Sequence, residues 1–179
     1  MGIDPEHIED KNSIKELKGI IESNRNIIGI GEIGLDKKVA TESKHYEMQK
    51  EMFREQLELA ESLDLPVVIH SRKALDDVLS ILGEFKIRAM FHFFEGDDKD
   101  IEKMREYFIS VPPLESSKRK RAIEKIGIER IMLETDSPVV GKDPTYVKIS
   151  AEIVAKIKGF DVEKVAYETT ENVRKFFYI

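Results

Sequence analysis

Ile27-Ile-Gly-Ile-Gly-Glu-Ile-Gly-Leu-Asp36 is the stretch on which the fold turns. Its first four residues are isoleucines broken only by Gly29, the pattern of a strand buried on both faces in a parallel sheet. Glu32 follows at once, a carboxylate flanked by Gly31 and Gly34. Those glycines permit tight backbone and the close approach of a ligand. An apolar strand that delivers an acid and then turns through glycine is how α/β proteins present chemistry at the C-terminal ends of their strands. Alone, such an acid is more often a helix cap or a loop residue.

The pattern repeats along the chain. Leu65-Pro-Val-Val-Ile-His70 and Arg88-Ala-Met-Phe-His92 are apolar strands ending in histidine, and Arg130-Ile-Met-Leu-Glu-Thr-Asp136 ends in aspartate. Phe108-Ile-Ser-Val111 reads as one more short strand. Steps of 38, 22 and 44 residues separate Glu32, His70, His92 and Asp136, room enough for strand–helix units that set the strand ends side by side. Two carboxylates and two imidazoles are then expected on one rim. Helical spacing fills the intervals: Ser13 to Ser23; a helix capped by Thr41 or Ser43 and running to about Leu63, with Phe53, Leu57, Ala60 and Leu63 inward; and Ser71 to Leu82, closed by Gly83. Another helix is expected through Ile101, Met104 and Phe108, and Pro112-Pro113 stops the strand beyond it. Ser116-Ser-Lys-Arg-Lys-Arg121 opens the next helix, and Val147 to Ile157 and Val162 to Phe177 supply the last two. The order αβαβαβαβαβαα has no linker or composition break, so a single α/β domain over residues 1–179 is predicted.

Composition narrows the function classes. Hydrophobic residues make up 41% and charged ones 36%, which marks a globular chain. The net charge of −6 does not announce nucleic acid; such a substrate needs a local Lys/Arg patch or bound cations. The basic run Ser116–Arg121 reads as a solvated helix face, with phosphate contact the alternative. His45 reads as a solvated or capping residue. With no cysteine, disulfides and thiolate metal sites are excluded, while histidine and carboxylate ligands remain. No apolar run reaches membrane-spanning length and the N-terminus lacks a signal-peptide pattern, so cytoplasmic residence and no membrane partner are expected.

Neutral imidazoles and ionised carboxylates are suitable ligands for zinc, manganese and related divalent ions. A carboxylate can also bridge two ions, which suits Glu32 with its flanking glycines. Two ions about 3.5–4 Å apart activate water and clamp the attacking and leaving oxygens of a phosphodiester. The strings Gly31-Glu-Ile-Gly-Leu-Asp36, Pro66-Val-Val-Ile-His-Ser-Arg72, Phe91-His-Phe-Phe-Glu-Gly96, Leu133-Glu-Thr-Asp-Ser-Pro138 and Thr169-Thr-Glu-Asn172 span nearly the whole chain. Together they resemble the TatD-like metal-dependent DNases, which are amidohydrolase-type TIM barrels. The resemblance implies a divalent-metal-dependent hydrolase of nucleic-acid phosphodiester bonds, with DNA as substrate and one or two ions (zinc, magnesium or manganese) per site. It implies that Glu32 bridges two metals, that His70 and His92 hold one, and that Asp136 holds the other and orients or deprotonates the attacking water. Arg72 is a candidate to steer a phosphate, an ordinary surface ion pair being the alternative.

The departures carry weight as well. The family's first strand bears a His-x-His pair, and no such pair occurs here: the four histidines are at 7, 45, 70 and 92. The usual Gly-x-His-Pro turn reads Gly2-Ile-Asp-Pro5, and the segment after Asp-Ser-Pro reads Lys142-Asp-Pro144. By that alignment the chain enters the barrel at the end of its third strand, so an N-terminally truncated, TIM-barrel-like parallel fold of five to six strands is expected. Impaired catalysis follows, with two alternatives: a degenerate barrel that binds metal or a partner without efficient turnover, or a small amide or ester hydrolase on the same scaffold. An uncovered barrel edge would drive association, so a homo-oligomer is expected.

Overall fold

The structure, a computed structural model, describes residues 1–8 and 13–179. Among these, helices and strands alternate in the expected order, and the strands stand in one sheet as β1-β2-β3-β4-β5, each beside the next in sequence. The pairings of β1 (Ile30–Asp36) with β2 (Val67–Arg72) and of β4 (Phe108–Val111) with β5 (Ile131–Leu133) are parallel. The third strand, β3, is Ala89–Phe91. Among the described residues no helix is long and apolar enough to cross a membrane. The chain forms two compact units, Met1–Met90 and Phe91–Ile179.

In the first unit, α1 (Ser13–Ser23), α2 (Ser43–Ser62) and α3 (Leu75–Leu82) accompany β1 and β2. Phe53, Leu57 and Ala60 of α2 are buried as expected, but Leu63 lies past the helix end and is exposed. Neither Thr41 nor Ser43 caps α2; Glu42 holds the cap position, with no side-chain bond. Two buried glutamines of α2 tie down the N-terminal segment. Gln56 exchanges hydrogen bonds with the Ile3 backbone, and Gln49 donates to the Pro5 carbonyl while accepting from the Asp36 N–H. Both side chains are thereby paired, the condition for burying an amide.

The strand boundaries differ from those predicted, and the reason is physical. β1 begins at Ile30 rather than Ile27 and runs through Glu32 to Asp36. Gly31 and Gly34 are therefore strand residues, placed where β2 comes too close for a side chain. A Cβ on Gly31 would lie 2.6 Å from the Val68 Cβ, and one on Gly34 would lie 2.0 Å from the His70 carbonyl oxygen. Gly34 also has φ +146°, which side chains rarely adopt. The pairing of Asp36 with Arg72 carries β2 past His70, so α3 starts at Leu75 instead of Ser71.

The second unit contains α4 (Asp98–Lys103), β4, α5 (Ser117–Lys125), β5, α6 (Val147–Lys158) and α7 (Val162–Phe177). Asp97 and Asp100 form a capping box on α4, and the Ser116 hydroxyl accepts from the Arg119 N–H to start α5. Ile109, Ile123, Ile131, Val154 and Val165 are fully buried, and Phe176 of α7 packs edge-on against Phe108. Asn172, the end of the Thr-Thr-Glu-Asn string, has a structural role. Its amide donates to the carbonyls of Ile128 (2.7 Å) and Ile131 (2.8 Å), fixing the entry to β5.

Gly34→Ala is expected to destabilise the protein by about 3 kcal/mol or more, the upper end for a single substitution, because the methyl meets backbone that cannot yield. Urea denaturation of the two proteins measures it; a loss below about 1 kcal/mol would show that β1 and β2 can separate at this point at little cost.

Candidate metal centre

Within the first unit, β1 delivers Glu32 and Asp36, and β2 delivers His70 opposite Gly34. Asp36 is wholly buried. One of its carboxylate oxygens accepts the backbone N–H groups of Lys38 (2.7 Å) and Val39 (3.1 Å). The other lies 3.0 Å from Nε2 of His70. That contact occupies one imidazole nitrogen and leaves Nδ1 facing Glu32, at 3.6 Å from its Oε2. Burial draws the His70 pKa down, but the carboxylates of Glu32 and Asp36 outweigh it and hold the ring above its ordinary value. Arg72 is half exposed, its Nη1 3.8 Å from Asp36.

The second unit repeats the arrangement with the nitrogens exchanged. Nδ1 of His92 pairs with Glu134 Oε2, and Nε2 lies 3.6 Å from Oδ1 of Asp136. The other oxygen of Glu134 accepts the Phe93 N–H at 2.9 Å. Phe93 (φ +51°) and Asp136 (φ +48°) both hold left-handed backbone, costly for residues with a Cβ and concentrated at functional sites. Arg119 secures this turn from beneath. It is buried, donates to the Leu114 carbonyl (2.6 Å) and to Glu95 (3.1 Å), and its guanidinium lies 4.7 Å over the Phe93 ring. Burial draws its pKa below the usual guanidinium value, against the opposing charges of Glu95 and Glu134. The run Ser116–Arg121 is thus only partly a solvated face: Lys118, Lys120 and Arg121 are exposed, whereas Arg119 is a buried anchor.

The donor chemistry fits a divalent cation. Donor atoms sharing one four-coordinate ion at bond lengths of about 2.1 Å lie roughly 3.4 Å apart, close to the two 3.6 Å separations. In each pair the second imidazole nitrogen is held by another carboxylate, the arrangement that fixes the tautomer of metal-ligating histidines. Among the described residues no group of three or more His, Asp or Glu side chains forms a ligand shell by itself; each unit provides a pair. Glu32 with His70, and His92 with Asp136, are the predicted residues brought together. Asp4, at the position where histidine is usual, is a turn residue that accepts from the Glu6 N–H and contacts His7. Asp36 and Glu134 were not singled out from sequence, although both stand inside quoted strings; their only signal was an acid at each strand end beside a ligand-type residue.

Carboxylate–imidazole pairs delivered by the strands of a β/α repeat suit a class of protein, the metal-dependent hydrolases. The chain belongs to the TatD-related DNase family, whose model matches residues 1–178. It is 35% identical to an uncharacterized metal-dependent hydrolase, YabD, of Bacillus subtilis, over 96% of this chain and 71% of that protein. It is also 35% identical to the human deoxyribonuclease TATDN3, over 88% of this chain and 63% of that protein. Among solved structures, YjjV, a TatD homologue from Escherichia coli, superimposes with a TM-score of 0.87 at 24% identity, covering 100% of this chain and 76% of that one. That likeness establishes the TIM-barrel-like fold.

Asp36→Asn replaces an acceptor facing His70 Nε2 with an amide that can donate, favouring the tautomer that carries its proton on Nδ1. Zinc affinity is expected to fall about 10–100-fold, as for other outer-sphere carboxylates. Titration calorimetry measures the affinity and long-range ¹H–¹⁵N spectra of the imidazole read the tautomer. An unchanged affinity with an unchanged tautomer would remove Asp36 from this role.

Proposed function

We propose that the chain hydrolyses DNA phosphodiester bonds with the aid of divalent metal. The observation that carries this reading is the paired imidazoles, each with one nitrogen held by a carboxylate and the other facing a ligand-type acid at 3.6 Å. Family membership supports it, as does a human relative named a deoxyribonuclease. Glu32 and His70 in the first unit, and His92 and Asp136 in the second, are the residues that would hold metal. Bound divalent ions supply Lewis acidity and lower the pKa of water. Asp36 and Glu134 each hold one ring nitrogen, of His70 and His92 respectively, and so orient the other toward Glu32 and Asp136. Asp136, the acid following the Glu134 strand end, accepts the proton of the attacking water, and Arg72 contacts a non-bridging phosphate oxygen.

The lack of a His-x-His pair in the sequence favours a second reading, metal binding with little turnover. Activity decides between them. Zinc or manganese is expected to bind at least one site per chain, and to bind less tightly as the pH falls and the imidazoles protonate, His70 beginning to do so above its ordinary range. His70→Ala and His92→Ala should each weaken binding in calorimetry. DNA cleavage should be lost with EDTA and in Asp136→Asn, which removes a negative ligand and a base together. Metal binding without cleavage would favour the second reading, and unimpaired binding by both alanine variants would sink the ligand assignment.

A further inference from the structure

Four cations stand where β1 and β2 end: Lys37 and Lys38 on the turn after β1, Arg72 as the last residue of β2, and Lys73 on the turn after it. The strand register sets Asp36 beside Arg72, and the Lys37 N–H donates to the Arg72 carbonyl at 3.0 Å, so the two turns lie against each other. They begin just past Asp36 and His70, on the Asp36 side of that histidine, whose other ring nitrogen faces Glu32. Lys37 is engaged: its ammonium is 2.6 Å from Asp77, which also accepts the Tyr46 hydroxyl at 2.6 Å. Arg72 is 47% exposed, and its contact with Asp36 is long because that carboxylate is committed to His70 and to the backbone of its own turn. Lys38 and Lys73 are exposed, and Lys73 is held in left-handed backbone at φ +57°. Two acids nearby are occupied, Asp36 by His70 and Asp77 by Lys37 and Tyr46.

Three solvent-facing cations at adjacent strand ends therefore form a local positive ledge on a chain whose net charge is −6. A polyanion approaching such a chain is repelled by its bulk charge and needs a local field of this kind. Guanidinium and ammonium groups are the usual partners of phosphate oxygens, the former in fixed fork geometry and the latter as mobile point charges. We propose that Lys38, Arg72 and Lys73 dock the phosphodiester backbone of a nucleic-acid strand, holding phosphates next to the one presented to Glu32 and His70. The inference rests on the nuclease reading for its substrate, but the binding it describes needs neither metal nor turnover.

The test is fluorescence anisotropy of a labelled single-stranded oligodeoxynucleotide with the full chain in EDTA. The variants are Lys38→Glu/Lys73→Glu and, as a control of equal charge change, Lys118→Glu/Arg121→Glu on exposed positions of α5. The ledge variant is expected to bind at least tenfold more weakly, and losing two phosphate contacts should flatten its salt slope by about 1.4. The control should bind like the parent. Equal losses in both variants would show bulk repulsion, and unchanged affinity in the ledge variant, or a parent that does not bind, would overturn the proposal. Cleavage separates this from the nuclease reading. A parent that binds through the ledge but cleaves nothing leaves the ledge standing and removes the activity. Cleavage with kcat/KM untouched by the ledge substitutions does the reverse.

Discussion

A carboxylate with no exposed surface, Asp36, is the constraint on which the first unit depends. A carboxylate buried in this way is tolerable only when its oxygens are fully engaged. Here two backbone N–H groups, an imidazole and, more distantly, a guanidinium surround it, while its own N–H is taken by a buried glutamine. Each contact fixes something else. The backbone donors close the turn after β1, Gln49 draws in the N-terminal segment through Pro5, and His70 is left with one ring nitrogen to offer. The close approach at Gly34 makes this possible, since any side chain there would push β2 away and carry His70 with it.

The second unit reaches a similar result by other means. Glu134 is only partly buried, and it holds His92 together with the amide of the next residue, Phe93. One side chain thus orients the ring and stabilises the strained turn that carries it. Arg119 adds support at a distance, stacking on Phe93 while bonding Glu95 and the Leu114 carbonyl. Its Nε is buried without a hydrogen-bond partner among the described residues, a cost of the order of 1–3 kcal/mol that its other contacts must outweigh. That a long basic side chain is buried here at all shows how firmly the His92 turn has to be held.

These relations explain what could be read from sequence. The alternation of strands and helices was legible because apolar runs and helical spacing are local signals, and the order of elements followed the prediction through α7. Glycine was legible in place but not in meaning. Gly31 and Gly34 suggested a turn, whereas they mark strand positions where a neighbour 36 residues or so along the chain comes too close for a Cβ. Asp36 and Glu134 escaped notice because their partnership with histidine is non-local, 34 and 42 residues apart. Arg119 was hidden by company. In a run of four basic residues, charge says nothing about which one points inward; only the phase of α5 does.

Substrate is harder to read than chemistry for a related reason. Acids and imidazoles at strand ends suit divalent ions, and the strings that carry them belong to a family of metal-dependent hydrolases. Lysines are not rare in a chain that is 36% charged, and Lys38 or Lys73 taken singly looks like any solvated surface residue. What gives them meaning is the β1–β2 register, which turns two ordinary basic dipeptides into one surface. The register is set by the same glycines and the same buried carboxylate that orient His70. The imidazole and the cations are therefore coupled mechanically: a change that shifts β2 by one residue would flip His70 to the other face and, in the same step, part Arg72 and Lys73 from the turn they adjoin.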